Sequence, residues 1–102
     1  MDLKIEPKAA EDILAIYDYY EGISEGLGDK FYSEFRAKLF LIRMFPKMYS
    51  VRRKLYNLRG AVVKNFPYIA LYHVGKDAVH IIAVFSCYQS PAHHKKEIRK
   101  RK

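Results

Sequence analysis

Two apolar segments joined by a short polar turn constrain the fold of this chain of 102 residues more than any other feature. The segments are YIALYHV at 68–74 and AVHIIAVFSCY at 78–88, with Gly-Lys-Asp between them. A turn of this length between two strand-like segments is typical of an antiparallel β-hairpin. Apolar residues fall on both parities of each segment, so the pattern predicts central strands, one face packed on helices and the other partly exposed. That second face is a candidate binding surface.

The N-terminal part of the chain predicts the first helix of the layer that covers this sheet. LKIE at 3–6 reads as a short opening strand, and Pro7 suits the first position of a helix, where its missing N–H leaves no bond unmade. The apolar positions that follow have the spacing i, i+3, i+4, i+7 of one helix face. They are Ile13, Ile16, Tyr17 and Tyr20.

A second helix is predicted between a glycine-containing link and Pro46, which ends it. The link contains Gly22, Gly26 and Gly28. The apolar positions of the second helix are Phe31, Phe35, Leu39, Ile42 and Phe45. Two helices joined by a short link predict an antiparallel helical hairpin, and its aromatic stripe is expected in the protein core.

After the second helix the period of the pattern changes to two. KLYNLRGAVVKNF at 54–66 is predicted to form one long or bulged strand, with Gly60 at the bulge. The fold class is therefore α+β: a short N-terminal strand, an antiparallel two-helix hairpin and a mostly antiparallel three-stranded meander. Residues 1–91 form the single domain that this length allows. Residues 92–102 form a basic C-terminal tail, expected to be a frayed helix because Ile98 is almost its only apolar anchor.

The charges of the chain are separated along its length. Residues 1–34 contain three bases and nine acids, a net charge of −6, while residues 36–102 contain 16 bases and two acids, a net charge of +14. A concentration of positive charge attracts polyanions such as nucleic acid or an acidic protein, although it also serves solubility alone.

Several classes of protein and site are excluded by the composition. The single Cys87 cannot form an internal disulfide and no leader-like segment opens the chain, so a cytoplasmic protein is expected. No apolar run approaches the roughly 20 residues that span a bilayer. His73, His80, His93 and His94 lack the spacing of metal ligands, so we expect no metal, no cofactor and no small-molecule substrate.

Metal-independent RNA cleavage is the one chemistry for which candidate residues exist. It needs a general base, a general acid and cations that stabilise the charge developing on the phosphate. Lys64 and Arg59 are the candidate cations, and Tyr88, His93 or His94 could carry a proton. His73 and His80 are instead expected to be ordinary strand residues at a solvated or half-buried surface.

The order of these segments resembles the RelE/ParE superfamily of bacterial toxins from type II toxin-antitoxin pairs, over nearly the whole chain. Each matching element is short, and the order in which they occur carries the resemblance. The elements are the helix with Ala9, Asp12, Ile13, Ile16, Tyr19 and Tyr20, the pair Pro46 and Tyr49, the corner Phe66-Pro67-Tyr68 with Tyr72, and the strand Ile81–Phe85 followed by Pro91.

This resemblance implies the β-α-α-β-β-β fold and the role of a cytoplasmic toxin that inhibits growth and stabilises plasmids. It implies a cognate antitoxin as partner, with a segment in which acidic and apolar residues alternate and which covers the open sheet face or the helix groove. It also implies one of two targets, DNA gyrase for ParE-like members or ribosome-bound mRNA for RelE-like members.

The residues at the family's motif positions favour gyrase over RNA. Lys64 keeps the sheet cation of the RelE-like nucleases, but Ser86, Cys87 and Gln89 stand where many relatives carry the histidine and arginine of the last strand. A gyrase inhibitor needs complementary shape and charge, not an acid–base set, so the chain is expected not to be an enzyme. Its candidate target-binding residues are Arg59, Lys64, Lys95, Lys96 and Arg99.

Two alternatives remain open at this point. The first is a ribosome-dependent mRNA endonuclease, in which Lys64 and Arg59 contact phosphate and Tyr88 or His93 carries the proton. The second is a non-toxic relic that acts only as a binding module for an antitoxin or nucleic acid.

Overall fold

The computed structural model of this chain describes residues 1–53 and 56–101, without the side chain of Arg53. Its helices and strands, in chain order, are β1 (Asp2–Ile5), α1 (Pro7–Ile23), α2 (Leu27–Met44), β2 (Val51–Arg53), β3 (Leu58–Val62), β4 (Tyr68–Val74), β5 (Ala78–Ser86) and α3 (Pro91–Lys100). The strands form a five-stranded sheet in the order β1-β5-β4-β3-β2. Only β1 and β5 pair in parallel; the other pairs are antiparallel. The predicted α+β class is confirmed, and the structure adds β2 and α3 to it.

The helical hairpin closes tightly because glycine stands at two positions of the link between α1 and α2. Gly26 has a left-handed backbone with φ 88°, a conformation that glycine adopts without strain. At Gly28 a Cβ atom would lie 2.8 Å from the carbonyl oxygen of Tyr17, so only glycine lets the two helices approach this closely. The Gly28 amide also donates to Glu21 at 2.7 Å, which satisfies one N–H at the start of α2.

The main core lies between the helical hairpin and one face of the sheet. Ile13 and Ile16 of α1 and Phe31, Phe35 and Ile42 of α2 are all buried, as their spacing predicts. Aromatic rings extend this core toward one end of the sheet, where Tyr20, Phe31, Phe66 and Tyr68 pack with centroids 5.0–6.1 Å apart. Such ring pairs each stabilise a core beyond the area that they bury.

The β-bulge predicted at Gly60 is wrong. Gly60 pairs in regular register with Leu71, and the irregularities lie at Arg52 in β2 and at Ile82 in β5. Glycine is needed at position 60 for a different reason, because a Cβ atom there would lie 2.7 Å from side-chain atoms of both Arg52 and Ile69. Of the long strand predicted at 54–66, only Leu58–Val62 forms; Tyr56, Asn57 and residues 63–66 lie outside the strand, and Lys54 and Leu55 lie outside the described residues.

The tail forms a packed helix and not a frayed one. Ser90 caps α3 by accepting a hydrogen bond from the His93 amide, and Pro91 stands at the first helical position. His94 and Ile98, one turn apart, are both buried against the second face of the sheet. Ile98 joins a second apolar cluster with Leu58, Ile69, Leu71, Ala83 and Phe85. The face expected to be open is therefore partly covered by α3.

A charged pair connects α3 to α1 across the edge of β5. Arg101 donates to both carboxylate oxygens of Asp12, at 2.7 and 2.8 Å. β1 ends opposite Ile81, and beyond this point the edge of β5 is satisfied by the same two side chains. Asp12 accepts from the Val84 amide at 3.0 Å, and Arg101 donates to the Ile82 carbonyl at 3.1 Å.

We predict that Arg101→Met lowers the free energy of unfolding by about 1–3 kcal/mol, since it leaves the Asp12 carboxylate and the Ile82 carbonyl without their cationic partner. Lys100→Met is the matched control, because the Lys100–Glu97 pair is largely exposed and such pairs contribute about 0–1 kcal/mol. Urea unfolding of the three proteins measures the difference. Equal loss in both variants would contradict a stabilising role for the Asp12–Arg101 pair.

Candidate target-binding surface

The outer face of α3 gathers three of the predicted target-binding cations. Lys95, Lys96 and Arg99 are all exposed. The helix places them there because His94 and Ile98 fix its inner face against the sheet, and residues one or two positions away on a 3.6-residue helix point outward. We refer to Lys95, Lys96 and Arg99 as the α3 cations; they present adjacent positive charges to solvent.

Lys64 and Tyr88 lie at one end of the sheet, in neighbouring loops. Lys64 is exposed in the turn between β3 and β4, and Tyr88 is 87% exposed in the loop between β5 and α3. The two loops are joined by a hydrogen bond from the Cys87 amide to the Pro67 carbonyl at 2.8 Å. The structure therefore brings these two predicted residues to the same end of the molecule.

Arg59 is held elsewhere by the segment that follows α2. Its guanidinium donates to the carbonyl of Tyr49 at 2.7 Å and to that of Lys47 at 3.3 Å. The side chain is half-buried. Tyr72, which pairs with Arg59 across the strands, donates its hydroxyl proton to the Pro46 carbonyl at 2.7 Å. Together the two side chains fix the path of the chain from α2 to β2, which is a structural role.

His93 lies at the base of α3, where it borders a shallow depression with Ser86, Gln89 and Glu97. It is exposed. The pKa of Glu97 is lowered, first by its hydrogen bond with Lys100 and then by nearby positive charges. Glu97, the neighbour of His93, is therefore an ionised carboxylate at neutral pH. The adjacent His94 is buried and bonds through Nε2 to the Ser86 carbonyl at 3.0 Å.

Two buried or half-buried tyrosine phenols keep their protons at neutral pH: Tyr20 in the aromatic cluster and Tyr72 beside Arg59. Burial, with a further contribution from Tyr68, raises the pKa of Tyr20 to about 12. Burial also raises the pKa of Tyr72 to about 12, although Arg59 opposes the shift. A phenol with a raised pKa is a poor general base at neutral pH, so these two side chains serve packing.

The other candidate groups are not arranged for catalysis or metal binding. Within residues 1–53 and 56–101, no group of three or more His, Cys, Asp or Glu side chains could hold a metal ion. His80 contacts Glu6 through Nδ1 at 2.9 Å, and His73 is exposed. Desolvation raises the pKa of the Cys87 thiol, although the residue as a whole is exposed and Arg52 opposes the shift. The raised pKa keeps the thiol in the less reactive protonated form. No helix in the described part of the chain is long and apolar enough to cross a membrane.

Arg101 and Asp12 are the functional-surface residues whose role the sequence did not reveal. Arg101 belongs to the run of tail cations and Asp12 to a helix motif, and 89 positions separate them. Their pairing ties the C-terminal end of α3 to α1. The spacing of either residue within its own segment carries no signal of this contact.

Comparison with known proteins identifies the family. Residues 3–91 match the model of the ParE toxin of the type II toxin-antitoxin system parDE. The chain belongs to the ParE toxin family. This confirms the resemblance to the RelE/ParE superfamily.

The ParE fold is also found in a solved structure of the chromosomal ParDE toxin-antitoxin system from P. aeruginosa. The two chains superpose with a TM-score of 0.74 and 23% sequence identity, over 84% of this chain and 95% of the other. No curated protein sequence matches this chain. As a type II toxin, a ParE family member has a cognate antitoxin.

We predict that Tyr72→Phe destabilises this ParE chain by about 1 kcal/mol at neutral pH, the typical contribution of one hydrogen bond. Because the pKa of Tyr72 is about 12 in the folded protein and about 10 in the unfolded chain, its contribution is complete below pH 10. It is lost as the pH rises through 12.

The variant should therefore show a smaller loss of stability above pH 10 than the natural chain. Chemical unfolding between pH 7 and 11 measures both effects. Tyr19→Phe is the control, because Tyr19 is 60% exposed. An identical alkaline decline in Tyr72→Phe and the natural chain would contradict the assignment.

Proposed function

We propose that this chain is a toxin that inhibits DNA gyrase and that its cognate antitoxin holds it inactive in the cytoplasm. The observation that carries the proposal is the match of residues 3–91 to the ParE family model. Growth inhibition and plasmid stabilisation follow from such an activity, because cells that lose the antitoxin are left with an active toxin.

The charge distribution supports a target that is a nucleic acid or a protein bound to one. The α3 cations lie on the side of the sheet opposite the helical hairpin, in which α1 carries four acids and one base and α2 carries two acids and four bases. A positive surface of this kind speeds association with a negatively charged target and disfavours positively charged ones. Lys64, at the end of the sheet, extends the positive surface beyond α3.

The placement of the candidate catalytic residues supports inhibition by binding over RNA cleavage. Phosphate cleavage needs donors that are preorganised around one reacting group. Arg59 donates from Nη1 to the Tyr49 and Lys47 carbonyls, which holds its guanidinium against the segment after α2, whereas Lys64 lies in the turn between β3 and β4. Only Lys64, Tyr88 and His93 remain at the exposed end. Binding to gyrase requires no such assembly.

We predict that the purified chain inhibits DNA supercoiling by gyrase and that the triple variant Lys95→Glu, Lys96→Glu, Arg99→Glu loses at least about tenfold in potency, since it reverses the charge of the α3 surface. The matched control is Lys8→Glu, Lys30→Glu, Lys76→Glu, which changes the net charge equally at exposed positions outside α3. A supercoiling assay and induction of the SOS response in cells measure the effect.

Full gyrase activity at saturating toxin would reject the proposed target. Equal loss of potency in both triple variants would reject the α3 surface and leave the target intact. Harmless expression in cells without antitoxin, together with unaffected gyrase, would leave the chain as a binding module only.

The endonuclease alternative has its own test, which rests on the shared location of Lys64 and Tyr88. If the chain cuts translated mRNA, primer extension should show breaks within codons at the ribosomal A site. The double variant Lys64→Ala, Tyr88→Phe should then lower cleavage by a factor of about 100 or more, the typical effect of losing a preorganised contact. We expect no cuts from the natural chain; because Lys64 also belongs to the proposed gyrase-binding surface, any loss of toxicity in the double variant should appear as weaker inhibition of supercoiling and not as lost cleavage. Breaks that depend on these two residues would replace gyrase as the target.

A further inference from the structure

His94 differs from the other charged and titratable residues of α3 because it is buried. The residue is 1% exposed, and among residues 1–53 and 56–101 it is the only histidine, acid or base in the buried class. Histidine takes up a proton within the range of pH that cells experience. A buried histidine therefore makes the structure around it sensitive to pH.

The ring of His94 contacts β5 in two ways. Nε2 lies 3.0 Å from the Ser86 carbonyl oxygen, and the ring packs on Phe85 with centroids 4.8 Å apart. A carbonyl oxygen only accepts hydrogen bonds, so Nε2 carries a proton and donates it. In the neutral ring the other nitrogen, Nδ1, then carries no proton. A second proton would be taken up at Nδ1 and would turn the buried ring into a cation.

Cations lie near His94 on α3 and on β2. The guanidinium of Arg101 lies over the same Phe85 ring, 4.9 Å from its centroid. Arg52 of β2 is close enough to Cys87 to act on the charge of its thiol. The dipole of α3 disfavours positive charge near its N-terminal end, where His94 lies. The second apolar cluster beneath α3 adds no charge of its own. The bases within α3 are Lys95, Lys96, Arg99 and Lys100.

The acids in this region already contact other cations. Glu97 of α3 lies 3.1 Å from Lys100, and both carboxylate oxygens of Asp12 accept from Arg101. The Ser86 carbonyl would bond more strongly to a charged ring than to a neutral one. The loss of hydration by a fully buried cation is the larger effect, so the site favours the neutral ring.

Few side chains of α3 hold the helix on the sheet. Of its ten residues only His94 and Ile98 are buried, whereas His93 is exposed. Arg101 adds its pair with Asp12 just beyond the last turn. A helix of this length is marginal in water without packing. A charge on one of its two buried anchors should therefore shift α3 from a docked to a released state.

We propose that His94 is a pH-sensitive anchor: the neutral ring holds α3 on the second face of the sheet, and protonation at Nδ1 releases the helix into solvent. Because α3 carries the α3 cations, its release also removes the face that they form together. A histidine in an unfolded chain becomes protonated near pH 6.5. Docking is therefore complete above this pH and weakens as the pH falls below it, by up to about tenfold per pH unit.

The test follows α3 in the natural chain and in His94→Gln, whose side-chain amide also donates but does not titrate in this range. Hydrogen exchange measures the protection factors of the amides of residues 91–100 relative to those of β4 and β5. In the natural chain we expect them to fall by at least about fivefold between pH 7 and pH 5, and to stay within about twofold in His94→Gln. His93→Gln is the matched control, at an exposed position of the same helix, and should behave as the natural chain does.

An equal fall in the natural chain and in His94→Gln, or no fall in the natural chain, would overturn the anchor. If His94→Gln leaves α3 undocked even at pH 7, NMR titration of the natural chain decides. The His94 ring should then take up its proton at the midpoint at which the amide shifts of residues 91–100 change. A ring that becomes protonated while those shifts stay constant, or that stays neutral down to pH 5, would overturn the proposal. None of these measurements involves gyrase or an antitoxin, so their outcome is independent of the proposed function.

Discussion

The unpaired edge of β5 beyond Ile81 is the constraint on which the arrangement of both helical layers depends. β1 is too short to cover this edge, so the Ile82 carbonyl and the Val84 amide need side-chain partners. Buried backbone groups without partners are costly. Asp12 from α1 and Arg101 from the end of α3 meet this need with one bidentate ion pair, both side chains being about 15–17% exposed. An ion pair at this depth is stabilising only when its other bonds are satisfied, and here the strand edge satisfies them.

The Asp12–Arg101 pair connects α1 on one side of the sheet with α3 on the other. α1 carries four acids and one base, α3 carries the basic surface on the other side of the sheet, and Arg101 is the point at which they meet. It also stacks its guanidinium over Phe85, 4.9 Å from the ring centroid, beneath α3. Because Arg101 fixes the last turn of α3, the direction of Lys95, Lys96 and Arg99 depends on a residue of the first helix. A stability effect at Asp12 and a functional effect on the α3 cations would therefore share one physical origin.

The hydrophobic periodicity of the sequence correctly predicted α1, α2 and the hairpin of β4 and β5. The helices containing Ile13 and Phe35 and the hairpin around Gly75 follow from spacing alone, because each pattern spans several turns or pairs. α3 was expected to fray because its anchors, His94 and Ile98, are hidden in a run of cations, and a histidine seldom signals burial. β2 has three residues, too few to show a period.

The candidate site was less predictable because its residues depend on contacts between distant segments. The sequence places Arg59 among strand cations, where a phosphate contact is a reasonable expectation. Its actual partners are the carbonyls of Tyr49 and Lys47, in a segment with no regular pattern. Lys95, Lys96 and Arg99 were correctly expected at the surface, since a lysine or arginine is rarely buried without a partner. They lie on the outer face of α3 because Ile98 packs the inner face of that helix against the sheet.

The distance between the two predicted phosphate contacts bears directly on the choice between cleavage and binding. Arg59 lies in β3, three steps along the strand from Val62, a span of roughly 10 Å at about 3.3 Å per residue. Lys64 lies beyond the end of that strand, in the turn. A reacting phosphate needs its cations within hydrogen-bond reach at the same time. Arg59 is anchored through Nη1 to the segment after α2, whereas Lys64 lies in the turn beyond β3. The positions of these two cations therefore favour the proposed binding mode, which does not require them to meet at one phosphate.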